Sequence, residues 1–432
     1  YEGTNRMGKS RSARWLPTWN LSGAWNAHEE SWFEKLKPVL SNFTAKLSYS
    51  LTADRGPSSI TNSRAVIKAD NPWRPSASDK ESSLYIAWLA NNDLTYEKKH
   101  ELNLGLDAGF LNNRINFTFD IYTRRNYDLI GATNTMGIGG EPTKYGNVAK
   151  MKSNGVELSL NTVNIKTKDF TWTTDFIYSH MHNEVTELNT YNRLYDYISG
   201  YGFTMPGYPQ RSLFSIPFAG LNNEGLPTFY DPDGNITVTG IDMQEYDPER
   251  LKFLKYEGPA DPTDVGSLGN IFRYKNLTLN LFITYSFGNV VRLDPVFSSE
   301  YSDLSATPKE FNNRWIKPGD EKFTNIPVIA SRQQLNNLAY LSRAYQSYNY
   351  STARVAKGDF IRMKEISLAY EFPKTLTQPL HLSNLSLKLQ ATNLFLLYAD
   401  KKLNGQDPEF FNAGGVATPM PKQFTLTLKF GI

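Results

Sequence analysis

The sequence predicts an all-β fold: an antiparallel transmembrane β-barrel with long extracellular loops. In segment after segment, apolar and polar residues alternate with a period of two, which is typical of strands with one apolar and one polar face. The connections between these segments alternate between short and long. No apolar run approaches the roughly 18 residues that a membrane helix needs.

The C-terminal stretch gives the clearest strand, because residues 421–432 alternate without interruption. One face is polar, with Gln423, Thr425, Thr427 and Lys429, and the other carries Phe424, Leu426, Leu428, Phe430 and Ile432. A barrel that closes its sheet with the C-terminal strand, apolar side towards lipid and polar side towards the lumen, explains this pattern better than a soluble sandwich.

Ten earlier segments complete a set of about eleven predicted strands, preceded by a strand stub at residues 1–6. The cleanest pair turns at Asn112-Asn113, since Asn tolerates the positive φ of a tight hairpin. In chain order the segments cover residues 18–27, 42–53, 101–110, 114–130, 156–163, 170–178, 268–274, 277–292, 359–372 and 385–391.

The remaining residues form connections whose lengths are informative. Residues 54–93, 131–146, 185–264, 294–356 and 399–420 are expected to be long loops, and the other connections are short. Short and long alternate along the whole chain, provided that residues 185–264 add no membrane strand or an even number. Outer-membrane barrels show this alternation of periplasmic turns and outer loops, whereas a soluble sandwich has no reason to show it.

Composition sets further limits on the function. The chain has 432 residues, 21% of them charged and 13% aromatic, and the aromatic content suits a barrel with aromatic girdles. A net charge of +3 is too small to indicate a nucleic-acid partner. The absence of cysteine excludes structural disulfides, thiolate metal sites and cysteine nucleophiles. The first residues do not resemble a signal peptide, so a mature chain or a missing beginning is expected.

Eight short motifs, distributed over nearly the whole chain, resemble the C-terminal half of SusC/RagA-like TonB-dependent outer-membrane transporters of Bacteroidetes. They are residues 92–97, 112–115, 154–157, 272–276, 313–315, 358–364, 391–395 and 407–409, and they occur in the family's order. Two positions depart from the family pattern: Tyr96 replaces a usual Trp, and Ile432 replaces a usual terminal aromatic residue.

The resemblance implies that this chain is the C-terminal part of a larger barrel. Barrels of this class have about 22 strands, so the plug domain and the first barrel strands are expected to lie outside this chain. Half a barrel has two unpaired strand edges in lipid, where nothing satisfies their backbone groups. We therefore expect the functional protein to supply the other half.

Aromatic residues are frequent in the presumed outer loops. Flat aromatic faces with polar edges suit sugar or peptide ligands, and packing within the loops or against a partner is the simpler alternative. The candidate substrate or partner contacts are Trp73, Tyr201, Tyr208, Tyr230, Trp315 and Tyr348.

No catalytic, cofactor or metal site is predicted. His180, His182 and Glu184 share one strand face, which favours a polar lumen or loop base over a metal site because no other His is close in the sequence. Asp231-Pro232-Asp233-Gly234-Asn235 resembles a calcium loop but lacks the glutamate at the twelfth position, so a surface turn is favoured.

The resemblance implies TonB-dependent import of a nutrient, a glycan or an oligopeptide, across the cell outer membrane. The implied partners are a SusD-like lipoprotein, which covers the outer loops, TonB, which acts through the missing N-terminal part, and outer-membrane lipid. Two alternatives stay open: a passive porin or surface adhesin on the same barrel, and a soluble carbohydrate-binding β-protein.

Overall fold

The computed structural model describes residues 2–3, 14–56, 64–70, 82–138, 143–189, 192–200, 202–296, 309–411 and 420–431. Trp73, Tyr201 and Ile432 lie outside these described residues. Strands dominate the described part of the chain. None of the helices among the described residues has the length and apolar character needed to cross a membrane.

The strands are, in chain order, β1 (Glu2–Gly3), β2 (Trp15–Leu16), β3 (Trp19–Asn26), β4 (Leu40–Asp54), β5 (Val66–Asp70), β6 (Ser83–Trp88), β7 (Glu97–Phe110), β8 (Ile115–Asn134), β9 (Thr143–Lys166), β10 (Phe170–Leu188), β11 (Ser212–Ser215), β12 (Phe218–Leu221), β13 (Pro227–Tyr230), β14 (Ile236–Thr237), β15 (Lys255–Pro259), β16 (Asp264–Tyr274), β17 (Leu277–Phe287), β18 (Val290–Arg292), β19 (Val355–Lys357), β20 (Phe360–Glu371), β21 (Asn384–Ala399) and β22 (Gln423–Gly431).

Eleven of these strands form one antiparallel sheet in the order β22-β21-β20-β17-β16-β10-β9-β8-β7-β4-β3. Every neighbour in this sheet is the next large strand along the chain, which is the up-and-down topology of an outer-membrane barrel wall. The predicted count of about eleven strands is confirmed. Residues 189–263 add no strand to the large sheet among their described positions; β11 to β15 form two small sheets of their own.

The two faces of the large sheet differ as the alternation predicts. Leu389 pairs with Leu426, and Leu387 pairs with Leu428, so apolar side chains continue from strand to strand on one face. Leu426 is 66% and Leu428 58% exposed, so no second sheet covers this face. We call it the exterior face.

The opposite face, which we call the lumen face, is lined with polar and charged side chains. Lys46 of β4 forms an ion pair with Asp107 of β7. The Asn280 Nδ2 donates a hydrogen bond of 3.3 Å to Glu365 Oε1 across β17 and β20. Paired charges and amides of this kind are typical of a water-filled interior rather than of a surface in contact with hydrocarbon.

Several strands are longer than the sequence predicted, which changes the loop lengths. β8 continues to Asn134 and β9 begins at Thr143, so the connection expected at residues 131–146 is reduced to 135–142. Residues 27–39, on the short-turn side, are longer than that connection and contain the short 3-10 helices Ala27–Glu29 and Ser31–Lys35. The strict alternation of short and long connections is therefore wrong at this pair of connections. The stretch 54–93 is not wholly irregular either, since β5 and β6 form a hairpin within it.

The Asn112-Asn113 hairpin turn is present. Leu111, Asn112 and Asn113 have φ values of 52°, 57° and 60°, in the left-handed region that Asn tolerates better than most residues. The Asn42 Nδ2 also donates a 2.7 Å hydrogen bond to Asn113 Oδ1, which ties the turn to β4.

Gly155, within the motif at residues 154–157, has a packing reason to be glycine. It pairs with Tyr122 of β8, and a Cβ atom at residue 155 would collide with the phenol ring of that tyrosine. Tyr122 is buried, with Arg124 stacked on its ring at 3.8 Å. The glycine therefore gives the aromatic ring the space to lie flat on the lumen face of the sheet.

Short helices accompany the loops. The α-helices are Leu194–Ile198, Pro248–Leu251, Arg332–Asn337, Tyr340–Asn349 and Lys374–Thr377. Further 3-10 turns are Lys309–Asn313, Asp320–Lys322, Thr352–Arg354, Gln378–Leu380, Lys401–Leu403 and Pro408–Phe410. All of these except the Lys374–Thr377 and Gln378–Leu380 segments lie in the long connections.

Candidate functional site in the loop cap

Three long connections fold together into one unit, which we call the loop cap. It comprises the described residues of 189–263, 288–359 and 400–411. Ile216 and Tyr350 join the first two connections through a backbone hydrogen bond of 3.0 Å, and the Thr352 amide donates back to the Ile216 carbonyl at 3.0 Å. The third connection joins through Asp400, whose Oδ2 accepts a 2.9 Å hydrogen bond from the Lys357 amide.

The cap has a hydrophobic core of its own, separate from the barrel wall. Phe229 and Ile216 are fully buried in it, and Tyr348 is 1% exposed. The other buried members of this cluster are Leu194, Ile198, Ile241, Met243, Leu251, Val296, Ile326 and Ala344. Such burial gives the outer loops a defined shape, so their surface can act as a preformed recognition surface.

Two arginines pack inside the cap. Arg354 is 1% exposed, and its Nη2 lies 2.5 Å from Glu310 Oε1 and donates to the Asp294 carbonyl at 2.5 Å. Arg292 donates from Nη2 to the Phe214 carbonyl at 2.5 Å, and its guanidinium stacks 5.6 Å from the Tyr350 ring centre. Arg292 thus joins the second connection to the first, whereas Arg354 binds two other residues of the second connection.

Burial changes the acidity of these groups. Desolvation lowers the pKa of Arg292 to about 10, opposed by the negative charge of Glu257. Desolvation also raises the pKa of Tyr348 to about 12. At neutral pH the arginine is therefore charged and the tyrosine is a neutral hydroxyl, and neither group is set up for proton transfer.

Two of the motifs meet in space at the base of the cap. Arg362, from the motif at 358–364, binds both carboxylate oxygens of Asp407, from the motif at 407–409, at 2.5 and 2.6 Å. Its Nε lies 3.0 Å from Glu409 Oε2. The Arg362 and Asp407 side chains are 5% and 9% exposed, so this buried ion pair, in which Nη2 contacts both carboxylate oxygens, fixes the third connection to β20.

The candidate aromatic residues occupy different positions in the cap. Tyr230 is 43% exposed at the end of β13 and pairs with Ile236 of β14. Tyr208 is half-buried, with its ring edge-on to Phe214 at 5.2 Å. These two side chains reach the cap surface, and their predicted contact with substrate or partner stays a prediction.

Trp315 and Tyr348 lie deeper. Trp315 is 8% exposed, donates from Nε1 to Glu321 Oε2 at 3.1 Å, and covers Gly225 so closely that a Cβ there would collide with the indole. Tyr348 packs edge-on against Phe218 at 5.6 Å. In this arrangement both residues shape the cap from inside.

Exposed apolar side chains mark part of the cap surface. Tyr246 is 74% and Ile236 62% exposed, close in sequence to Tyr230 and to the ion pair between Arg250 and Glu245. Exposed apolar groups with a polar rim are a common feature of surfaces that bind another protein.

The histidines considered as metal ligands have other neighbours. His180 Nδ1 lies 2.9 Å from Asp264 Oδ1, which also accepts a 2.6 Å hydrogen bond from Tyr178. His182 is exposed. In the described part of the chain no three His, Asp or Glu side chains converge in a way that would hold a metal ion.

Sequence reasoning missed the buried charges of the cap. Arg292, Arg354 and Glu310 have no local pattern that distinguishes them from surface residues, because their contacts join residues that are far apart in the chain. Arg362 and Asp407 each lie within a motif, but the spacing of the two motifs does not indicate that these side chains meet.

Comparisons with known proteins agree with this architecture. The chain is 26% identical to the TonB-dependent receptor SusC of Bacteroides thetaiotaomicron, over 99% of the chain and 41% of that protein. It is 25% identical to the TonB-dependent receptor P3 of Formosa agariphila, over 94% of the chain and 39% of that protein. No model of a protein family matches the chain.

Solved structures give the same result for the fold. The chain superposes on the RagAB peptide transporter with a TM-score of 0.74 at 24% identity, covering 99% of this chain and 44% of that one. It superposes on the RagAB peptide importer in its open-open state with a TM-score of 0.75 at 22% identity, with the same coverage.

The resemblance to SusC/RagA-like TonB-dependent receptors and the outer-membrane barrel fold and location are thereby confirmed. The chain spans about 40% of the length of the curated relatives it matches.

Proposed function

We propose that the protein imports a nutrient across the outer membrane as the barrel component of a TonB-dependent transporter. The observation that carries the proposal is the similarity to the receptor SusC along 99% of the chain. The two-faced sheet supports it, because a polar lumen face and an apolar exterior face are what a transport barrel needs. The relatives are named as receptors, and the protein is proposed to do no covalent chemistry.

Uptake by cells that produce the complete protein tests this proposal. Labelled oligosaccharides and labelled oligopeptides are supplied separately, so that each substrate class is tested on its own. Import of one class is expected to stop when the gene is deleted and also when a protonophore collapses the inner-membrane proton gradient. Import that continues at the same rate with the protonophore would contradict the proposal and indicate a passive pore.

We also propose that further strands complete the barrel. In the described sheet, β3 and β22 are the edge strands, and they do not pair with each other. Their outward backbone groups would be unsatisfied in hydrocarbon, at several kcal/mol for each group. The plug domain and the first strands of the barrel are therefore expected elsewhere in the functional protein. A stable detergent-solubilised particle of 49.1 kDa, containing this chain alone, would contradict this part of the proposal.

The cap is proposed to bind a SusD-like lipoprotein, with TonB acting through the part of the protein outside this chain. The exposed residues Tyr230, Ile236 and Tyr246 supply an apolar contact that a partner would cover. Replacing Tyr230 and Tyr246 together by Ser is expected to reduce co-purification of the lipoprotein at least tenfold. The matched control is Leu376→Ser, which changes a 55% exposed apolar residue in a connection at the other end of the sheet. Equal co-purification of the wild type and the double variant would contradict the contact.

A further inference from the structure

The exterior face contains a groove near the end of the sheet that bears the loop cap. Its volume is about 510 Å³, within the roughly 300–1,000 Å³ of small-molecule sites. The groove runs across β4, β7, β8 and β9, and its apolar walls are Leu47, Leu102, Leu104, Ile121 and Val156. His180 and His182 of β10 form its far side.

Basic side chains border this groove on the side closer to the loops. In the register of the sheet, His100 pairs with Arg125, and Arg125 pairs with Lys152. These three residues form the next row of side chains on the exterior face, two residues closer to the loops than the row of Leu102, Thr123 and Asn154. Arg125 and Lys152 are like charges directly opposite each other on neighbouring strands, and such a pairing is destabilising unless anions compensate both charges.

The nearby carboxylates leave Arg125 without a counter-ion. Glu184 lies 2.9 Å from Lys152 Nζ, and Glu101 lies on the lumen side, 2.8 Å from Arg124 Nε. Arg125 is exposed and forms no ion pair among the residues that the structure describes. An exposed guanidinium that no carboxylate neutralises is suited to bidentate binding of a phosphate.

A stack of aromatic rings places this border at the surface of the membrane. Trp19 and Tyr49 pack edge to face at 5.2 Å, and His100 stacks on Tyr49 and on Tyr127 at 5.7 Å each. Tyr and Trp concentrate where hydrocarbon meets water, at the level of lipid headgroups. The groove therefore begins at headgroup level and continues into the apolar belt.

We propose that this groove and its border bind one outer-leaflet lipid, with an acyl chain against the leucines and a headgroup phosphate on Arg125 and His182. Charge complementarity selects the occupant: the apolar walls suit an acyl chain, and the Arg125 guanidinium, which no described carboxylate neutralises, suits a phosphorylated headgroup. The inference depends on the outer-membrane location and is independent of which nutrient the protein imports.

Native mass spectrometry of the complete protein, released from delipidating detergent, tests the proposal. The probes are a bisphosphorylated lipid A and the same lipid after enzymatic removal of its phosphates. The wild type is expected to retain the phosphorylated probe, and Arg125→Gln to bind it about fivefold more weakly, the effect of one interfacial cation. Both proteins should bind the dephosphorylated probe equally.

Lys429→Gln is the matched control, because it removes one exposed cation from the lumen face of β22. It should bind the phosphorylated probe as the wild type does. Equal affinity of the wild type and Arg125→Gln, or no preference of the wild type for the phosphorylated probe, would overturn the proposal. Nutrient uptake is measured in parallel; a loss of lipid preference with unchanged uptake separates this site from the transport function.

Discussion

Replacing Leu428 by Arg places a charge near the middle of the hydrocarbon layer. β22 has nine residues, and its eight steps of about 3.3 Å give a length of about 26 Å. At a tilt of about 40° the strand rises about 20 Å along the membrane normal, compared with an apolar band about 25 Å tall. Leu428 lies one residue from the centre of the strand, and it is 58% exposed on the exterior face.

An arginine at this depth should destabilise the barrel by about 2–4 kcal/mol, a factor of roughly 30 to 900 in the folding equilibrium. The matched control is Thr425→Arg, which lies on the lumen face opposite Gln390. Thr427 is less suitable because it pairs with Lys388, and two cations would then oppose each other.

The assay is reversible guanidinium unfolding of the complete protein in liposomes, followed by tryptophan fluorescence. Leu428→Arg should unfold at a clearly lower denaturant concentration, while Thr425→Arg should stay close to the wild type. If both variants lose the same stability, the assignment of the two faces of β22 is wrong.

Three further changes test the packing. Gly155→Ala should lower the free energy of unfolding by about 1–3 kcal/mol, because the new methyl group collides with the Tyr122 ring. Adding Tyr122→Ser should restore most of the lost thermal stability, and an unchanged unfolding midpoint of Gly155→Ala would refute the explanation. Arg362→Gln leaves the buried Asp407 carboxylate without its ion-pair partner and should lower local stability by about 3–5 kcal/mol, seen as new proteolytic cleavage at residues 400–411. A variant as resistant to protease as the wild type would count against the ion pair as the anchor of this connection. Phe229→Ala removes a fully buried ring from the cap core and should lower the stability of the cap by about 3–5 kcal/mol. Protease should then digest the cap while the barrel resists, and equal digestion of both would show that they do not unfold separately.

The alternation of residues along each strand was enough to predict the barrel wall. In β22, the parity of Phe424, Leu426 and Leu428 predicted the exterior face, because side chains on a strand necessarily alternate. Strand ends were predicted less well. β8 ends at Asn134 and β9 begins at Thr143, so both strands include polar and glycine residues that were expected to form a loop. In these segments the hydrogen bonds between the two strands outweigh the weak strand propensity of the residues.

The loop cap could not be predicted from local patterns. Its core brings together residues as distant in the chain as Leu194, Phe229 and Tyr348, and no periodicity connects them. Aromatic loop residues therefore looked alike in the sequence, although Tyr230 lies at the surface and Tyr348 is buried. Composition identified residues able to bind a flat ligand, whereas their burial depends on contacts between separate connections.

The absence of cysteine from the 432 residues allows a direct test of the two-faced barrel wall. Single cysteines at residues 425, 426, 427 and 428 are labelled with a fluorophore, and the complete protein is placed in bilayers that contain nitroxide-labelled acyl chains. The fluorophores at 426 and 428 should be quenched strongly and those at 425 and 427 weakly, with a period of two. Equal quenching at all four positions would contradict a strand that faces lipid on one side and water on the other.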